Sequence, residues 1–515
     1  MRSTFMGLET NKRGLFTQQS GLYTTGHNIS NANTLGYSRQ RVNMQATAGF
    51  PGVGLNTPTM PGFLGTGVEA GSIQRIRDGF VDHQFRQESN KLGYWESRSK
   101  AIGQMEDVLA EPSAYGLQQS LSEFWSSLQT LAANPENGGA RAVVVQRGEA
   151  VADSFNYMHK SLTEIQTNLG KEIGVSTKDI NSMLEQIADL NRQISQVEPN
   201  GYMPNDLYDA RDILLDELSS YIPIETSYEK SGGRALAIAE GTVTVSLKMK
   251  TGQAIELVKG KEFGEIQPDP TILIDPTTKG NVAITGMTIR SANAAAATPY
   301  AHSAFLDAGK LKSLVDSYGY TDGNATKGLY PDMIAELNKM AAAFANEMNK
   351  VHTSGTDLHG NKGTNFFDAK IPGDAFTAGN IVVNEQLKKD PNLLAASNSP
   401  IGSAEVGNGK NAKKLADLQF NGLTELGGST IQTYYSGVIG ELGVNGQQAE
   451  RLTFNTTTLL GAVSHRRDSI SSVSLDEEMT DMIKFQQAYN ASARMITVVD
   501  ETLDKIINGM GVVGR

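Results

Sequence analysis

The sequence predicts a mainly α-helical fold that carries a small β insertion, and three patterns support this fold class. A long apolar repeat with alternate steps of three and four residues ends the chain, and further helical periodicity fills its middle. An alternating pattern appears mainly between Pro223 and Pro299. With 515 residues the chain is too long for one core, so we expect several domains.

The C-terminal repeat predicts a single helix from Leu475 to Met510. Its stripe is apolar except at Glu478 and Ser492, and neither Pro nor Gly occurs before Gly509. Such a helix is roughly 50 Å long at 1.5 Å per residue. An ordinary core-facing helix is one interpretation, but the length favours a docking helix whose stripe other helices cover.

A second amphipathic helix is predicted near the N-terminus, because Leu8, Leu15, Leu22 and Ile29 recur every seven residues. It ends in an Asn-rich turn that contains Gly36. Residues 1–45 hold five Lys or Arg against one acid, a net +4, whereas residues 470–515 hold four against seven, a net −3. These opposite charges predict that the two chain ends meet.

Helical periodicity also runs from Phe80 to Tyr221, with breaks at Pro112, Pro135 and Pro199. It resumes from Leu329 to His352 and again after Ile431. Residues 46–72 are rich in Gly and Pro and predict an irregular, extended connector. The short strand candidates are Thr242–Leu247, Ile255–Val258, Thr271–Ile274, Val282–Thr285 and Ile381–Val383.

Composition excludes several classes of function. The chain has no cysteine, which rules out disulfides, thiolate catalysis and cysteine-ligated zinc. Its net charge of −11 argues against nucleic-acid binding, and no apolar run is long enough for membrane insertion. We expect no cleaved secretory signal and no cofactor.

Three groups of residues could be taken for chemical sites. Asp209, Asp212 and Asp216 share one helical face and suggest a carboxylate pair or a metal, but a solvated face that pairs with Arg211 and neighbouring helices is the better interpretation. His352, Asp357 and His359 could be drawn as a metal triad, although they lie in a Gly-rich loop without an obvious fourth ligand. The Gly-rich stretches near Gly65 and Gly355 lack the Gly-Lys-Ser/Thr of a phosphate loop.

Several motifs resemble the rod, hook and hook-associated axial proteins of the bacterial flagellum. Asn31, Asn33, Thr34, Gly36, Tyr37 and Arg39 are in register with the N-terminal signature of that family. The C-terminal signature is matched by 471–479 and 486–494, with Ser472 in place of the common Gly. The segment 207–218 resembles the helical body of the hook-associated members, which rod and hook proteins lack.

This resemblance implies a structural protein of the hook–filament junction rather than an enzyme. It further implies type III export, an extracellular location in the flagellum, and a homo-oligomeric ring or tube whose inner wall is made of terminal helices. The partners implied are the hook protein, the next hook-associated junction protein and an export chaperone. A hook or rod protein is the alternative, and a secreted hydrolase or metalloenzyme is a more distant one.

We expect intersubunit packing at residues of both terminal helices and of the N-terminal signature: Leu8, Leu15, Leu22, Ile29, Asn31, Asn33, Gly36, Tyr37, Arg39, Leu475, Met482, Phe485, Tyr489, Ile496, Val499, Leu503, Ile506 and Met510. The expected domains are a terminal one (1–45 with 470–515), the connector (46–79), a helical body (80–221 with 300–354 and 429–469) and a β-rich outer domain (222–299 with 355–428), which is either one unit or two separate lobes.

Overall fold

A computed structural model describes residues 5–50, 64–109, 116–270, 282–323 and 325–509. The predicted fold class, mainly α with a β insertion, is confirmed. The helices are α1 Met6–Ser30, α2 Gly79–Leu109, α3 Leu117–Ala133, α4 Gly138–Val197, α5 Asn205–Tyr221, α6 Lys310–Tyr318, α7 Leu329–His352, α8 Glu385–Lys389, α9 Lys410–Asp417, α10 Ile431–Ser471 and α11 Leu475–Gly509.

Helix α4 is the 60-residue spine of the body. The Asn137 side chain caps its start by accepting hydrogen bonds from the backbone amides of Gly139 and Ala140, which satisfies two donors that the first turn leaves free. An apolar seam then recurs along the helix and is buried throughout its length, including Ile173, Ile180, Ile187 and Ile194. Helices α3, α5, α6 and α7 cover this seam.

A cluster of aromatic side chains packs between α3, α7 and the chain that follows α7. The Phe124 ring lies 6.0 Å from that of Phe344 and 5.6 Å from that of Phe366, measured between centroids, and Trp125 meets Phe344 edge-on. All of these rings are fully buried. Such edge-to-face clusters bury large areas and hold α3, α7 and the chain beyond α7 together.

The described part of the β insertion forms two antiparallel sheets. One has the order β3 Ile224–Glu229, β4 Thr242–Lys248, β5 Ala254–Lys259 and β6 Glu262–Phe263; the other has the order β7 Glu265–Asp269, β8 Gly286–Arg290 and β9 Thr298–Ala301. The candidates at Thr242 and Ile255 are confirmed, and Thr271–Ile274 lies outside the described residues. The candidate Val282–Thr285 is wrong, because only Ile284 makes an isolated bridge and the strand begins at Gly286.

Residues 355–428 differ from the β-rich lobe expected. Their described strands are β12 Phe367–Ala369 and β13 Ile381–Val383, one short antiparallel pair beside the short helices α8 and α9. Asn349 of α7 fastens this pair, since its side chain accepts from the amides of Phe366 and Phe367. Between the sheets and α7, β10 Tyr320–Asp322 pairs with β11 Ala325–Lys327.

The described part of the connector is an antiparallel pair rather than an irregular segment. Strand β1 Gln40–Ala46 pairs with β2 Val68–Arg75, and both contact α1. At the other end of the chain, α10 packs along α2 and turns directly into α11, which packs on α1. Among the described helices, none is long and apolar enough to cross a bilayer.

Candidate functional site

The two chain ends form one antiparallel pair of helices, α1 with α11, which we call the terminal hairpin. Facing positions advance by seven residues on α1 while they retreat by seven on α11. A Cβ built on the α1 glycine would lie 3.8 Å from Val499 Cγ2 at Gly7, 3.3 Å from Ser492 Oγ at Gly14 and 3.1 Å from the Phe485 ring at Gly21. The predicted meeting of the chain ends is confirmed.

Glycine explains how closely the two helices approach. At Gly21 any added side chain would press on the Phe485 ring, so the seam depends on the missing Cβ. Apolar periodicity does not reveal these glycines, because it picks out the residues one position further along, Leu8, Leu15, Leu22 and Ile29, which are only half-buried. The recurrence of Gly every seven residues was the signal that could have found them.

The stripe predicted on α11 faces α1 of the same chain. Its half-buried members are Met482, Phe485, Tyr489, Ser492, Ile496, Val499 and Leu503, and Glu478 is fully buried. Leu475 and Ile506 are exposed at the two ends of the helix, and Met510 lies outside the described residues. The neighbour that contacts this stripe is thus α1, while its contacts with other subunits stay a prediction.

A buried polar corner closes the hairpin where α1 ends. The Asn28 amide donates to Glu478 Oε2 at 3.0 Å and to the Gln40 carbonyl at 2.8 Å, and its Oδ1 accepts from the Tyr37 hydroxyl at 2.7 Å. The Gln40 amide completes the set at 3.0 Å from Asn28 Oδ1. Burial and the nearby carboxylates, led by Asp206, raise the pKa of Tyr37, so the hydroxyl stays a donor.

Arg39 joins the N-terminal signature to the C-terminal one. Its guanidinium contacts Glu478 Oε1 at 2.7 Å and Glu477 Oε2 at 2.5 Å, and its backbone N–H donates to the Ser471 carbonyl at 2.9 Å. Hydrogen bonds that involve charged groups are stronger than neutral ones. The two family signatures are therefore in direct contact at this corner.

The remaining signature residues shape the turn after α1. Asn31 ends the helix by donating from its side chain to the His27 carbonyl at 3.1 Å. Gly36 has a φ of 76°, and a Cβ there would lie 2.4 Å from Ile213 on α5, so only glycine fits the turn and the contact. Asn33 is exposed at the tip of the turn.

The prediction that the carboxylates of α5 lie on a solvated face is wrong. Asp209 and Asp212 are buried rather than solvated. Arg75 contacts Asp209 at 2.6 Å and Asp212 at 3.0 Å, while Arg77 and Arg86 also reach Asp212 at 3.0 and 3.3 Å. Arg211 pairs with Glu240 and not with these acids, so the arginines come from β2, α2 and the segment between them.

Asp216 extends this cluster to the last helices. It accepts from Arg86 Nε at 2.8 Å and from Arg467 Nη1 of α10 at 2.6 Å. Although burial works against ionisation, the guanidinium groups of Arg77 and Arg75 hold the pKa of Asp212 below its usual range. Because each of these carboxylates contacts at least one arginine, the cluster holds β2, α2 and the end of α10 against α5 and offers no free carboxylate pair for hydrolysis.

The proposed metal triad is not assembled. His352 is fully buried, with Nδ1 2.5 Å from the Thr364 carbonyl and Nε2 accepting from the Ala395 amide at 3.0 Å. Asp357 instead accepts from the amides of His359 and Asn361 in a local turn. Within the described ranges, no group of His, Asp or Glu side chains is arranged to hold a metal ion.

Comparison with protein families and known proteins decides the identity of this architecture. The family model for the flagellar hook-associated protein FlgK helical domain matches residues 102–367, which is more than half of the chain. The chain is also 43% identical, over its full length and that of its relative, to flagellar hook-associated protein 1 of Bacillus subtilis. The chain belongs to the flagellar hook-associated protein 1 family.

Other matches agree with membership of the hook-associated protein 1 family. The Salmonella typhimurium member is 26% identical, with 96% of this chain and 98% of that protein covered. The model for the C-terminal region of flagellar basal body rod FlgEFG proteins matches residues 467–509, the end of α10 and α11. The solved structure of the flagellar hook junction protein FlgK from Burkholderia pseudomallei shares the fold, with a TM-score of 0.59 at 14% identity over 76% of this chain and all of that chain.

Membership of the hook-associated protein 1 family makes this chain a structural flagellar component and not an enzyme. The hook and rod alternative is replaced by the hook-associated assignment, because the helical domain and the full-length relatives both belong to that branch. The hydrolase and metalloenzyme alternatives find no relative among these matches.

Proposed function

We propose that the chain joins the flagellar hook to the filament as a ring or tube of identical copies that pack through their terminal hairpins. Export through the flagellar type III apparatus, guided by a chaperone, would deliver it to an extracellular location. The hook protein and the next hook-associated junction protein are the partners proposed for its two ends. The observation that carries this proposal is an apolar flank of the terminal hairpin that the described residues leave exposed.

Within the described ranges, the strands β1 and β2 cover one side of α1. Thr17 lies on that side and donates from its hydroxyl to the Val68 carbonyl at 3.1 Å, and Gly67 approaches the backbone of Thr10. The opposite side carries the heptad of leucines, which remain half-buried. Several large apolar side chains on α1 and α11 are exposed, among them Phe5, Phe16, Tyr23, Met479 and Ile483.

An exposed apolar flank of this length is unusual for a monomer and is typical of a protein–protein interface. A second copy of the same hairpin is the occupant we propose, because the flank is parallel to the seam and both helices contribute to it. Side-by-side packing of hairpins would cover this flank and close a ring, as in a heterologous interface that returns on itself. The signature residues Asn31, Asn33 and Gly36 would then lie at one rim.

Replacement of Ile483 by Asp tests the proposal. Ile483 is 57% exposed, so Ile483→Asp should not unfold the monomer, but it would place a charge in the proposed interface. We expect the variant to be exported while flagellin is shed into the medium, with loss of swimming. Ile401→Asp is the matched control, because Ile401 is 69% exposed and lies far along the chain in the 355–428 segment.

Normal filaments on the Ile483→Asp strain would contradict assembly through this flank. The export step is tested separately by blocking the flagellar type III apparatus and following this protein in cells and medium. We expect it to remain inside the cells. Its appearance in the medium of such a strain would refute the proposed route without bearing on the interface.

A further inference from the structure

At three of the positions where α1 faces α11, the α1 side of the seam carries no side chain that distinguishes one heptad from the next. Gly7, Gly14 and Gly21 present the same bare backbone to α11 at three successive heptads. If α1 slid by seven residues, another glycine would meet the same α11 side chain. Packing against glycine therefore gives close approach without specifying the register of the two helices.

The fourth heptad position on α1 is different, because it is Asn28 and it faces Glu478. Both side chains are almost fully buried, with 1% of Asn28 and 2% of Glu478 exposed. Arg39 contacts the second oxygen of the Glu478 carboxylate at 2.7 Å. A buried polar pair on a helical seam is the kind of feature that specifies register in paired helices.

Slipped registers lose this pair completely. A slip of one heptad in one direction would place Glu478 against Gly21, and a slip in the other direction would place Asn28 against Phe485. In either case a carboxylate or an amide would be buried without its partner, which is strongly unfavourable. The native register keeps both satisfied.

We propose that Asn28 and Glu478, supported by Arg39, determine the register of the terminal hairpin, whereas the glycine seam only brings the helices together. This inference concerns the isolated chain and does not depend on the proposed packing between subunits. It assigns a role to Asn28 and Glu478 that the apolar stripe does not supply.

Cysteine trapping measures the register directly, because the chain contains no cysteine of its own. In the native register a Cβ at position 14 lies 3.3 Å from Ser492 Oγ, so the pair Gly14→Cys with Ser492→Cys should form a disulfide. The pairs Gly7→Cys with Ser492→Cys and Gly21→Cys with Ser492→Cys report the two slipped registers. Those positions are separated by about 10 Å along the native hairpin, beyond the reach of a disulfide.

We expect only the position 14 pair to cross-link in the otherwise unchanged full-length chain under a thiol–disulfide redox buffer. In a Glu478→Leu background the ratio of slipped to native cross-links should rise roughly tenfold or more, because a hydrogen bond to a charged group is lost. Glu477→Leu is the matched control, since Glu477 also contacts Arg39 but is exposed, and it should keep the single register. Glu478→Gln keeps an acceptor for Asn28 but replaces the oxygen that accepts from Arg39 with an amide donor, so its slipped fraction should lie between those of Glu477→Leu and Glu478→Leu.

Three results would overturn the proposal. Slipped cross-links in the unchanged chain would show that the register is not fixed. An unaltered single register in Glu478→Leu would show that something else fixes it. Loss of all three cross-links in Glu478→Leu, with the Glu478→Gln hairpin intact, would mean that the pair is needed for pairing itself and not for its register.

Discussion

Helices α4 and α11 carry the same three-four apolar pattern, yet the structure covers them very differently. The α4 seam is buried throughout, with Ile173, Ile180 and Ile187 fully enclosed by helices on several sides. The α11 seam meets α1 on one side, and its members remain half-buried. Periodicity therefore predicts which face of a helix is apolar, but the number of neighbours decides how much of it is covered.

A charged residue placed on each seam tests this comparison, and the largest loss of stability is expected in α4. Ile187→Asp in α4 buries a carboxylate without a partner and loses an apolar contact, at a cost of roughly 5 kcal/mol or more. This is comparable to the stability of a whole domain. We expect the variant to lose its helical circular dichroism and to be degraded in cells.

Ile496→Asp places the same charge on the half-buried seam of α11, where the carboxylate can reach water. We expect it to keep the circular dichroism of the body, to be exported and to fail in holding filaments, so that flagellin appears in the medium. Asn490→Asp adds a charge on an exposed face of α11 and should be milder. If the Ile187→Asp and Ile496→Asp proteins unfolded to the same extent, the two seams would not differ in how much burial contributes to stability.

Features that depend on local sequence could be predicted, whereas features that depend on distant parts of the chain could not. The helices were found because long periodic patterns are local properties of the chain, and α7 has the bounds predicted, Leu329–His352. The burial of Asp212 was not found, because its arginine partners Arg75 and Arg86 lie more than a hundred residues away along the chain. A charged helical face is usually solvated, and only the three-dimensional fold shows that this one is enclosed.

The terminal hairpin was predicted in part for a similar reason. The net charges of the two ends indicate that they meet. Hydrophobic patterning, however, picks out Leu15, whereas the residue that faces α11 is its neighbour Gly14. Glycine has no side chain, so it does not contribute to an apolar pattern. Its role becomes visible only when the opposing residue, here Ser492, is placed against it.

The next effect concerns the buried cluster that joins β2, α2 and the end of α10 to α5. Arg75→Leu would leave Asp209 and Asp212 short of a buried counterion, which costs about 3–5 kcal/mol when one partner of such a pair is removed. We expect a clear fall in the urea midpoint at neutral pH. Arg192→Leu removes an arginine that pairs with Asp189 on the exposed surface of α4, and it should cost less than about 1 kcal/mol. Equal shifts for the two variants would show that the cluster does not stabilise the junction.

The smallest effect expected is a pH dependence that belongs to the body and not to the hairpin. Burial lowers the pKa of His352 to about 4, against about 6.5 for an unperturbed imidazole. Between these two values the unfolded chain binds a proton that the folded protein excludes, so stability should be complete above about pH 6.5 and fall as the pH drops towards 4. The shift corresponds to roughly 3 kcal/mol.

Urea unfolding of the unchanged protein and of His352→Gln, measured between pH 7 and 4, isolates this contribution. Glutamine can donate to the Thr364 carbonyl and accept from the Ala395 amide without titrating, so the variant should show a shallower loss of stability on acidification. His465→Gln, on an exposed face of α10, is the control for the removal of an imidazole, and its profile is the reference for that of His352→Gln. Parallel profiles for the unchanged protein and His352→Gln would mean that the buried imidazole is not the group that makes the body sensitive to acid.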